Sequence, residues 1–243
     1  MKFIFSLFIL AICFCPVDSF AGQKLYFATD YFPPYYYSEN GTIKGSAYRL
    51  IQLTLAEMKT PFSLKFVPWK RGLLLAVNKK TDGIPGAAWS KDRAQKLYFP
   101  DEPLVVTEIV IFYNKKTPFQ YAGINSLKGK KVGVIRGYVY GKIFDNSNVC
   151  KKEFGESLEQ NFRKLNAGRI DLVIAYKNPG LYKLKRVNLE KEISFSPVPI
   201  NRIPIFLAFS KKPKYDELAK DFSIILKKIK NSDSYQKEIQ KFK

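Results

Sequence analysis

The residue with the clearest chemical role in this sequence is Arg93, in the segment KKTDGIPGAAWSKDRAQKLYFP at 79–100. The pattern predicts a strand, a short polar turn and a helix start, with Arg93 one turn into the helix. The N–H groups and dipole of a helix start attract an anion, and a guanidinium adds two charge-assisted hydrogen bonds in one plane. We therefore predict that Arg93 grips a carboxylate. The competing interpretation is a surface ion pair of Arg93 with Asp92 or Asp101.

The chain contains no histidine. The absence of histidine excludes catalytic sites of the Ser/His/Asp and Cys/His types and zinc sites with histidine ligands. It also excludes histidine, the commonest general base, from any catalytic role. A glycine series at 133, 137 and 141, followed by Lys142, lacks the spacing of a phosphate loop, and Ile143 stands where that loop needs Ser or Thr. We predict no catalytic residue, no metal and no cofactor.

The composition is strongly basic, with 41 Lys and Arg against 21 Asp and Glu and a formal charge of +20. Such an excess occurs in proteins that bind nucleic acid, in proteins that bind anionic membranes and in soluble proteins with a charged surface. The lysines are spread along the chain without the basic and aromatic stripe of a nucleic-acid groove. We therefore predict no nucleic-acid partner and a solvated basic surface that attracts anionic ligands or lipid head groups.

The N-terminus resembles a secretory signal. Lys2 precedes an apolar run from Phe3 to Cys15, Pro16 ends the run, and small residues lead to a predicted cleavage site after Ala21. The run is shorter than the roughly 20 apolar residues of a comfortable membrane span. After cleavage Cys150 is the single cysteine, so we expect an exported protein without an intramolecular disulfide.

Strands and helices alternate in the first part of the sequence. Residues 24–29, 62–66 and 83–88 have strand character, and residues 46–58, with Ser46 as the predicted cap, and 68–77 have helical spacing. Asn40-Gly41 predicts a tight turn before the first helix. The order βαβαβ predicts a mostly parallel sheet with flanking helices.

A second unit of the same kind follows. It contains a strand at 131–135, a helix face at Leu158, Phe162 and Leu165, and a continuous apolar strand at 170–175. In both units a polar turn leads into the last strand through an aspartate, Asp82 or Asp171. We interpret these two as strand-entry residues that bond turn amides, not as catalytic groups.

Two long β-rich runs, 105–113 and 202–210, connect the units and predict a hinge. An amphipathic helix from Lys214 is expected to pack back on the first unit. We therefore predict an α/β protein of two lobes, each a mostly parallel sheet flanked by helices, joined by a two-strand hinge. The predicted division is a signal at 1–21, lobe 1 at 22–112 and 204–243, and lobe 2 at 113–203.

Five segments together carry a family resemblance, and they lie at 31–45 (YFPPYYYSENGTIKG), 66–93 (FVPWKRGLLLAVNKKTDGIPGAAWSKDR), 97–105 (LYFPDEPLV), 127–137 (LKGKKVGVIRG) and 165–175 (LNAGRIDLVIA). The chain resembles the family 3 bacterial extracellular solute-binding proteins, of the periplasmic polar-amino-acid-binding type with the two-lobed type II fold. The resemblance implies a periplasmic monomer that holds a solute between its lobes and delivers it to an ABC permease.

The resemblance also implies roles for individual residues. Arg93 matches the arginine that grips the carboxylate of the ligand, and Gly86 and Ala88 lie where backbone and hydroxyl groups assist it, although alanine has no hydroxyl. Phe32 matches the aromatic residue of the first loop, and Trp69 matches an apolar contact opposite it. For Trp69, core packing at a helix start is an equally open interpretation.

The second lobe departs from the family pattern. Gly137-Tyr138 stands where relatives often have Gly-Thr, Arg136 precedes it, and Tyr176 stands where relatives have the acid that holds an α-ammonium. An ammonium buried without a counter-charge is costly. We therefore hypothesise a ligand with a carboxylate or other anionic group and an apolar or aromatic part, and a second anionic contact at Arg136.

Two alternatives to transport remain open. Some relatives are dehydratases of cyclic carboxylic acids, and without histidine such an enzyme would need Glu, Asp, Lys or Tyr as its acid or base. Others present their ligand to a membrane receptor, which requires the same two-lobed closure.

Overall fold

The computed structural model describes residues 22–239, and the predicted signal at 1–21 lies outside them. The strands are β1 (Leu25–Thr29), β2 (Tyr37–Glu39), β3 (Thr42–Lys44), β4 (Phe62–Phe66), β5 (Gly83–Ala88), β6 (Leu97–Tyr98), β7 (Val105–Asn114), β8 (Lys131–Ile135), β9 (Lys151–Gly155), β10 (Leu172–Tyr176), β11 (Ile193–Phe195) and β12 (Asn201–Ser210). The helices are α1 (Ser46–Glu57), α2 (Trp69–Val77), α3 (Lys91–Lys96), α4 (Lys142–Asp145), α5 (Leu158–Asn166), α6 (Lys177–Arg186), α7 (Tyr215–Lys230) and α8 (Asp233–Ile239). None of the helices within residues 22–239 combines the length and apolar character needed to cross a membrane.

One mixed sheet runs through the molecule in the strand order β4-β1-β5-β12-β7-β10-β8-β9. At one end β4, β1 and β5 are parallel, and at the other end β10, β8 and β9 are parallel. Between them β7 and β12 are antiparallel to each other and to their outer neighbours. The predicted α/β fold of two lobes joined by two long strands is confirmed; the predicted residue bounds of the lobes stay a prediction.

In each lobe, an aspartate just before a strand accepts a hydrogen bond from a backbone N–H of the neighbouring strand. The Asp82 carboxylate accepts a hydrogen bond from the N–H of Tyr26 at 2.7 Å, and the Asp171 carboxylate accepts one from the N–H of Lys131 at 2.7 Å. Both aspartates are strand-entry residues that bond backbone amides, as predicted. The amides belong to the neighbouring parallel strand, however, and not to the turn itself, so each carboxylate ties two strands together.

The first helix begins differently from the prediction. Gly45 is its N-cap, and Ser46 is a buried first helical residue that makes no side-chain cap. Gly45 has φ 125°, and a Cβ there would lie 2.3 Å from the carbonyl oxygen of Tyr35. The aromatic loop therefore packs so closely on the chain before α1 that only glycine fits.

The long helix α7, near the C-terminus, returns to the first lobe, as predicted, and packs against α1. Its apolar face is buried through Leu218, Phe222 and Leu226. Burial of such side chains stabilises a fold by about 1.5–3 kcal/mol each. The helix therefore stabilises the first lobe, which forms one side of the cleft.

Candidate functional site

A cavity of about 370 Å³ lies between the two lobes, at the carboxyl ends of β1 and β8. We call it the chamber, and its principal lining residues are Asp30, Tyr31, Phe32, Trp69, Lys70, Arg136, Tyr138, Tyr140, Glu156, Tyr176 and Lys183. Ligand sites of α/β proteins lie at this edge of the sheet, and they are typically apolar with a few polar groups. The chamber has the size and lining of a small-molecule site.

A second, much smaller space of about 20 Å³ lies deeper in the cleft, around Arg93. We call it the arginine compartment; it is lined by Asp30, Phe32, Tyr36, Trp69, Gly86, Arg93, Tyr138, Val139 and Tyr176. A space of this volume holds about one water molecule. In this form of the protein the compartment is therefore almost completely filled by protein atoms.

Arg93 lies inside the cleft, with 7% of its surface exposed. Its N–H lies 3.3 Å from the hydroxyl of the α3 N-cap, Ser90, so the helix start aims the side chain as the sequence predicted. The predicted alternative, a surface ion pair of Arg93 with Asp92 or Asp101, is wrong, because Arg93 is buried, Asp92 pairs with Lys96 at 2.8 Å, and neither acid forms an ion pair with Arg93 among the described residues. Burial lowers the pKa of the guanidinium from its usual value.

Two backbone carbonyls hold the guanidinium of Arg93. Nη1 donates to the carbonyl of Ala88 at 2.8 Å, and Nη2 donates to the carbonyl of Gly137 at 3.0 Å. The guanidinium carbon also lies 5.3 Å from the centre of the Trp69 ring. Because Gly137 belongs to the second lobe, Arg93 joins the two lobes directly.

The carbonyl of Gly137 accepts a second hydrogen bond from the first lobe. The donor is Trp69 Nε1, at 3.2 Å. Gly137 has φ 81°, a conformation that glycine adopts without strain and that turns this carbonyl toward the first lobe. Trp69 is 9% exposed and lines both cavities. The structure therefore combines both interpretations of Trp69, because the residue packs in the interior and also borders the cleft.

Tyr138 of the second lobe lines both the chamber and the arginine compartment. Its hydroxyl donates to the Asp30 carboxylate at 3.1 Å across the cleft. Burial raises the pKa of Asp30 to about 7, and the hydrogen bond from Tyr138 opposes that rise. Asp30 was absent from the sequence-based site, although it directly follows β1 and so stands at the carboxyl edge of the sheet.

Phe32 and Tyr176 meet from opposite lobes, with ring centres 5.2 Å apart and an edge-to-face arrangement. The hydroxyl of Tyr176 donates to the carbonyl of Val139 at 2.8 Å. Burial raises the pKa of Tyr176 above its usual value, so the side chain is neutral. The last residue of β10 therefore supplies an aromatic wall and no counter-charge.

Gly86 lies on β5 beneath the arginine compartment, with φ 96°. A Cβ at this position would lie 1.8 Å from the hydroxyl of Tyr36. Glycine is therefore required both by the backbone conformation and by the close approach of the tyrosine. Ala88, two residues later, contributes its carbonyl to Arg93.

Arg136 follows β8 and lines the chamber from the second lobe. Its guanidinium carbon lies 4.7 Å from the centre of the Phe154 ring. Two lysines also line the chamber, Lys70 and Lys183, and Lys183 lies 3.8 Å from the Glu159 carboxylate. The chamber therefore carries three cationic groups.

The structure brings all nine predicted site residues to the cleft: Phe32, Trp69, Gly86, Ala88, Arg93, Arg136, Gly137, Tyr138 and Tyr176. Sequence reasoning missed Asp30, Tyr140 and the two lysines, which lie on loops and helix faces that only the tertiary fold turns toward the cleft. Within residues 22–239 no group of three or more Cys, Asp or Glu side chains is arranged to hold a metal ion.

The fold is shared with several solved structures. A histidine kinase sensor domain with similarity to periplasmic binding proteins superposes with a TM-score of 0.77 at 21% identity, covering 90% of this chain and 96% of that one. The holo arginine-binding protein ArgBP from T. maritima gives 0.73 at 21%, covering 90% and 95%. The substrate-binding protein of an amino acid ABC transporter gives 0.73 at 19%, covering 90% and 98%.

No curated protein matches the chain by sequence. The family model of the bacterial extracellular solute-binding proteins, family 3, matches residues 25–243. This match covers all of the secondary structure described above. The chain belongs to family 3 of the bacterial extracellular solute-binding proteins.

Proposed function

We propose that this protein captures a small carboxylate-bearing solute, amino-acid-like or an amino-acid derivative, between its two lobes and delivers it to an ABC transporter. The observation that carries the proposal is the chamber, which both lobes line and which has cationic groups at its walls. A solute bound there contacts both lobes at once, so its binding energy favours the closed form over an open one. Family membership supports a binding role rather than an enzymatic one.

The contacts across the cleft support a closing motion. Besides the bonds of Arg93 and Trp69 to Gly137, Asn178 Nδ2 donates to the hydroxyl of Tyr35 at 3.0 Å. Rotation of one lobe about β7 and β12 would break these bonds together. Closure about a hinge of two connecting strands is a common way for a protein to enclose a ligand.

Two arginines of the cleft are candidates for the carboxylate contact. Arg93 is the one that the sequence predicts, and it would exchange a backbone carbonyl for a carboxylate oxygen of the solute. Arg136 lines the larger cavity. A guanidinium binds a carboxylate through two parallel N–H bonds, so loss of the correct arginine should weaken binding far more than loss of the other.

A thermal-shift and calorimetric survey of small carboxylic acids tests the proposal. Wild-type protein should be stabilised by at least one acid, and the shift should grow with ligand excess over the dissociation constant. The matched amide of that acid should bind at least tenfold more weakly. If neither amino acids nor other small carboxylates stabilise the protein at millimolar concentration, carboxylate capture is wrong.

A sensory role is the second candidate, favoured by the sensor domain of a histidine kinase among the similar structures. Both roles need the same closure, so the difference lies in the membrane partner. Reconstitution of the liganded protein with the permease encoded beside its gene should raise ATP hydrolysis if the role is delivery. Stimulation of a neighbouring receptor kinase, with no effect on any permease, would instead support sensing.

The proposed location is the periplasm, which the family implies and the N-terminal sequence predicts. Fractionation of cells that express the full chain should place the protein in the periplasmic fraction, shortened at the N-terminus. N-terminal sequencing should begin at Gly22. Recovery of the intact chain in the cytosol would contradict the location.

A further inference from the structure

We propose that the solute binds in the chamber with its anionic group on Arg136, and that Gly137 and Tyr138 of the protein itself occupy the arginine compartment. This inference rests on the proposed function and specifies it. It makes Arg93 a residue that joins the lobes, and it makes the solute an aromatic or alicyclic carboxylate that lacks an α-ammonium group.

The first step concerns the donors of Arg93. A carboxylate held by an arginine fork needs two parallel N–H donors. Two of the five N–H groups of Arg93, one on each Nη, donate to the backbone carbonyls of Ala88 and Gly137, so any solute carboxylate would have to reach the others through the arginine compartment. The remaining space of about 20 Å³ accommodates one water molecule, whereas a carboxylate has three heavy atoms. A solute carboxylate therefore has no room there in the closed form.

The second step is that the second lobe itself shapes the turn that fills the compartment. The N–H of Ile135 donates to the Tyr140 hydroxyl at 2.8 Å, and the N–H of Tyr138 donates to the carbonyl of Ile135 at 3.2 Å. The Asp145 carboxylate accepts the N–H of Gly141 at 2.9 Å. Because none of these bonds involves the first lobe, the turn keeps this shape when the lobes separate and refills the compartment when they close.

The third step concerns what the chamber offers. Its volume of about 370 Å³ is within the usual range for small-ligand sites. Tyr31, Trp69, Tyr138 and Tyr176 all line it, two from each lobe. Aromatic rings stabilise a flat apolar body by about 0.5–1.5 kcal/mol per pair beyond area burial. The walls therefore select a planar or compact cyclic solute.

The fourth step concerns charge. Among the described side chains, Arg136 has no carboxylate partner, and its guanidinium packs on the Phe154 ring. Lys70 likewise lines the chamber without an acidic partner in the described part of the chain. Two acids line the chamber, Asp30, which accepts a hydrogen bond from Tyr138, and Glu156, which is exposed. The chamber thus offers a solute anion the free guanidinium of Arg136, whereas the carboxylate that it leaves for a solute ammonium, that of Glu156, is exposed to solvent, where an ion pair contributes little.

Calorimetry on the mature protein tests this assignment with benzoate, phenylacetate and indole-3-acetate, with phenylacetamide as the uncharged match and L-phenylalanine as the zwitterion. We expect at least one aromatic carboxylate to bind, and phenylacetamide and L-phenylalanine to bind at least tenfold more weakly. Arg136→Gln should weaken the bound carboxylate at least tenfold. Arg169→Gln, which removes an exposed arginine elsewhere on the second lobe, should leave the affinity within twofold.

A second variant, Tyr138→Thr, introduces the residue that relatives often carry after this glycine. It removes the ring from the arginine compartment and should raise the affinity for L-phenylalanine at least tenfold. A crystal structure with the tightest aromatic carboxylate should place the carboxylate within hydrogen-bond distance of Arg136. These two measurements remain decisive if Arg136→Gln fails to fold.

The contrary outcomes separate the two proposals. A carboxylate found on Arg93 in the crystal, or affinity unchanged in Arg136→Gln, overturns the assignment to the chamber and leaves solute capture intact. The same holds if wild-type protein binds a common amino acid at micromolar concentration and Tyr138→Thr changes nothing. Absence of binding by every aromatic carboxylate and every amino acid overturns both.

Discussion

The Tyr138 hydroxyl of the second lobe lies 3.1 Å from the Asp30 carboxylate of the first lobe, and donates a hydrogen bond to it across the cleft. Together with the bonds of Arg93 and Trp69 to the carbonyl of Gly137, this contact joins the lobes without any solute. Two consecutive residues, Gly137 and Tyr138, therefore take part in three of the hydrogen bonds that cross the cleft. The stability of the closed form depends on a few identifiable atoms, which makes it accessible to single substitutions.

Asp30 should make the stability of the protein depend on pH. Its pKa is about 7 in the folded protein, against an ordinary value of 3.8, because burial disfavours the charged form. The protonated carboxyl therefore contributes stability that is fully present below pH 3.8, is lost as the pH rises toward 7 and stays lost above it. The full loss is at most about 4 kcal/mol, and smaller because water reaches Asp30 from the chamber.

Asp30→Asn removes this titration while keeping an oxygen that accepts from Tyr138. Urea unfolding at pH 4.5, 6 and 8 should show the variant gaining stability relative to wild type as the pH rises. Asp92→Asn removes an acid of an exposed pair with Lys96 and serves as the control, with little effect at any pH. A difference between Asp30→Asn and wild type that is constant from pH 4.5 to 8 would contradict the raised pKa.

Arg93→Lys should loosen lobe closure. A lysine keeps the charge but has no planar fork, so it cannot reach the carbonyls of Ala88 and Gly137 in the same geometry. Loss of one such bond costs about 1–3 kcal/mol, since the donor is charged. Small-angle X-ray scattering without ligand should show a larger radius of gyration for the variant than for wild type.

Arg71→Lys provides the matched control for this change, because Arg71 is exposed on α2, outside the residues that line the two cavities. Its scattering profile should overlay that of wild type. If Arg93→Lys also overlays wild type, the bond from Arg93 to Gly137 does not hold the lobes together.

Gly86→Ala should disturb the floor of the cleft. Gly86 and Gly123 have nearly the same φ, 96° and 93°, but differ in their surroundings. A Cβ at Gly86 would lie 1.8 Å from the Tyr36 hydroxyl, whereas a Cβ at Gly123 would meet no atom within 4 Å. Alanine at either position carries backbone strain of about 1–2 kcal/mol, and only Gly86→Ala adds a clash with a fully buried ring.

Comparing Gly86→Ala with Gly123→Ala therefore separates the cost of the clash with Tyr36 from the cost of placing alanine at a positive φ. Thermal unfolding should place Gly86→Ala several degrees below Gly123→Ala, with both below wild type. Equal melting temperatures would show that Tyr36 moves away at little cost.

Most of the fold could be predicted from the sequence because its strands are apolar and its helices amphipathic. β5 and β8 begin and end at the predicted residues, and α7 begins one residue after the predicted start at Lys214. The elements that escaped prediction lack such patterns. β9 (KKEFG) is a polar edge strand, and α6 (KNPGLYKLKR) contains a proline and a glycine that normally end helices.

The glycine of α6 shows why the sequence misled. A Cβ at Gly180 would lie 2.3 Å from the Phe112 ring of β7, so glycine is present to let the helix approach the sheet. Composition alone cannot distinguish this use of glycine from a turn. The tertiary contact, and not the helix propensity, determines the residue.

The sequence predicted which residues lie at the candidate site better than it predicted the contacts that they make there. The strand, turn and helix-start pattern and the family resemblance identified Arg93, and in the structure Arg93 lines the cleft. That its partners are the carbonyls of Ala88 and Gly137 could not be predicted, because every residue has a carbonyl and only tertiary geometry selects one. Asp30 was missed for a similar reason, since its raised pKa comes from burial by residues distant in sequence.

The two strand-entry aspartates should differ sharply in their contribution to stability. Asp82 is 5% exposed and accepts three hydrogen bonds, from the N–H of Tyr26 at 2.7 Å and from Lys212 Nζ and the Tyr215 hydroxyl at 2.6 Å each. It thereby ties β1 and β5 to the start of α7. Asp171 is exposed and accepts from the N–H of Lys131 at 2.7 Å.

Asp82→Asn removes a charge that faces Lys212 and turns one accepting oxygen into a donor that opposes the Tyr26 N–H or the Tyr215 hydroxyl. We expect a loss of about 3–5 kcal/mol in the free energy of unfolding, because a buried pair is broken. Asp171→Asn keeps an accepting oxygen in solvent and should cost under about 1 kcal/mol. Urea titrations of both variants measure the difference in the free energy of unfolding. Equal losses would mean that the bonds of Asp82 to Lys212 and Tyr215 contribute nothing beyond the strand bond that both aspartates make.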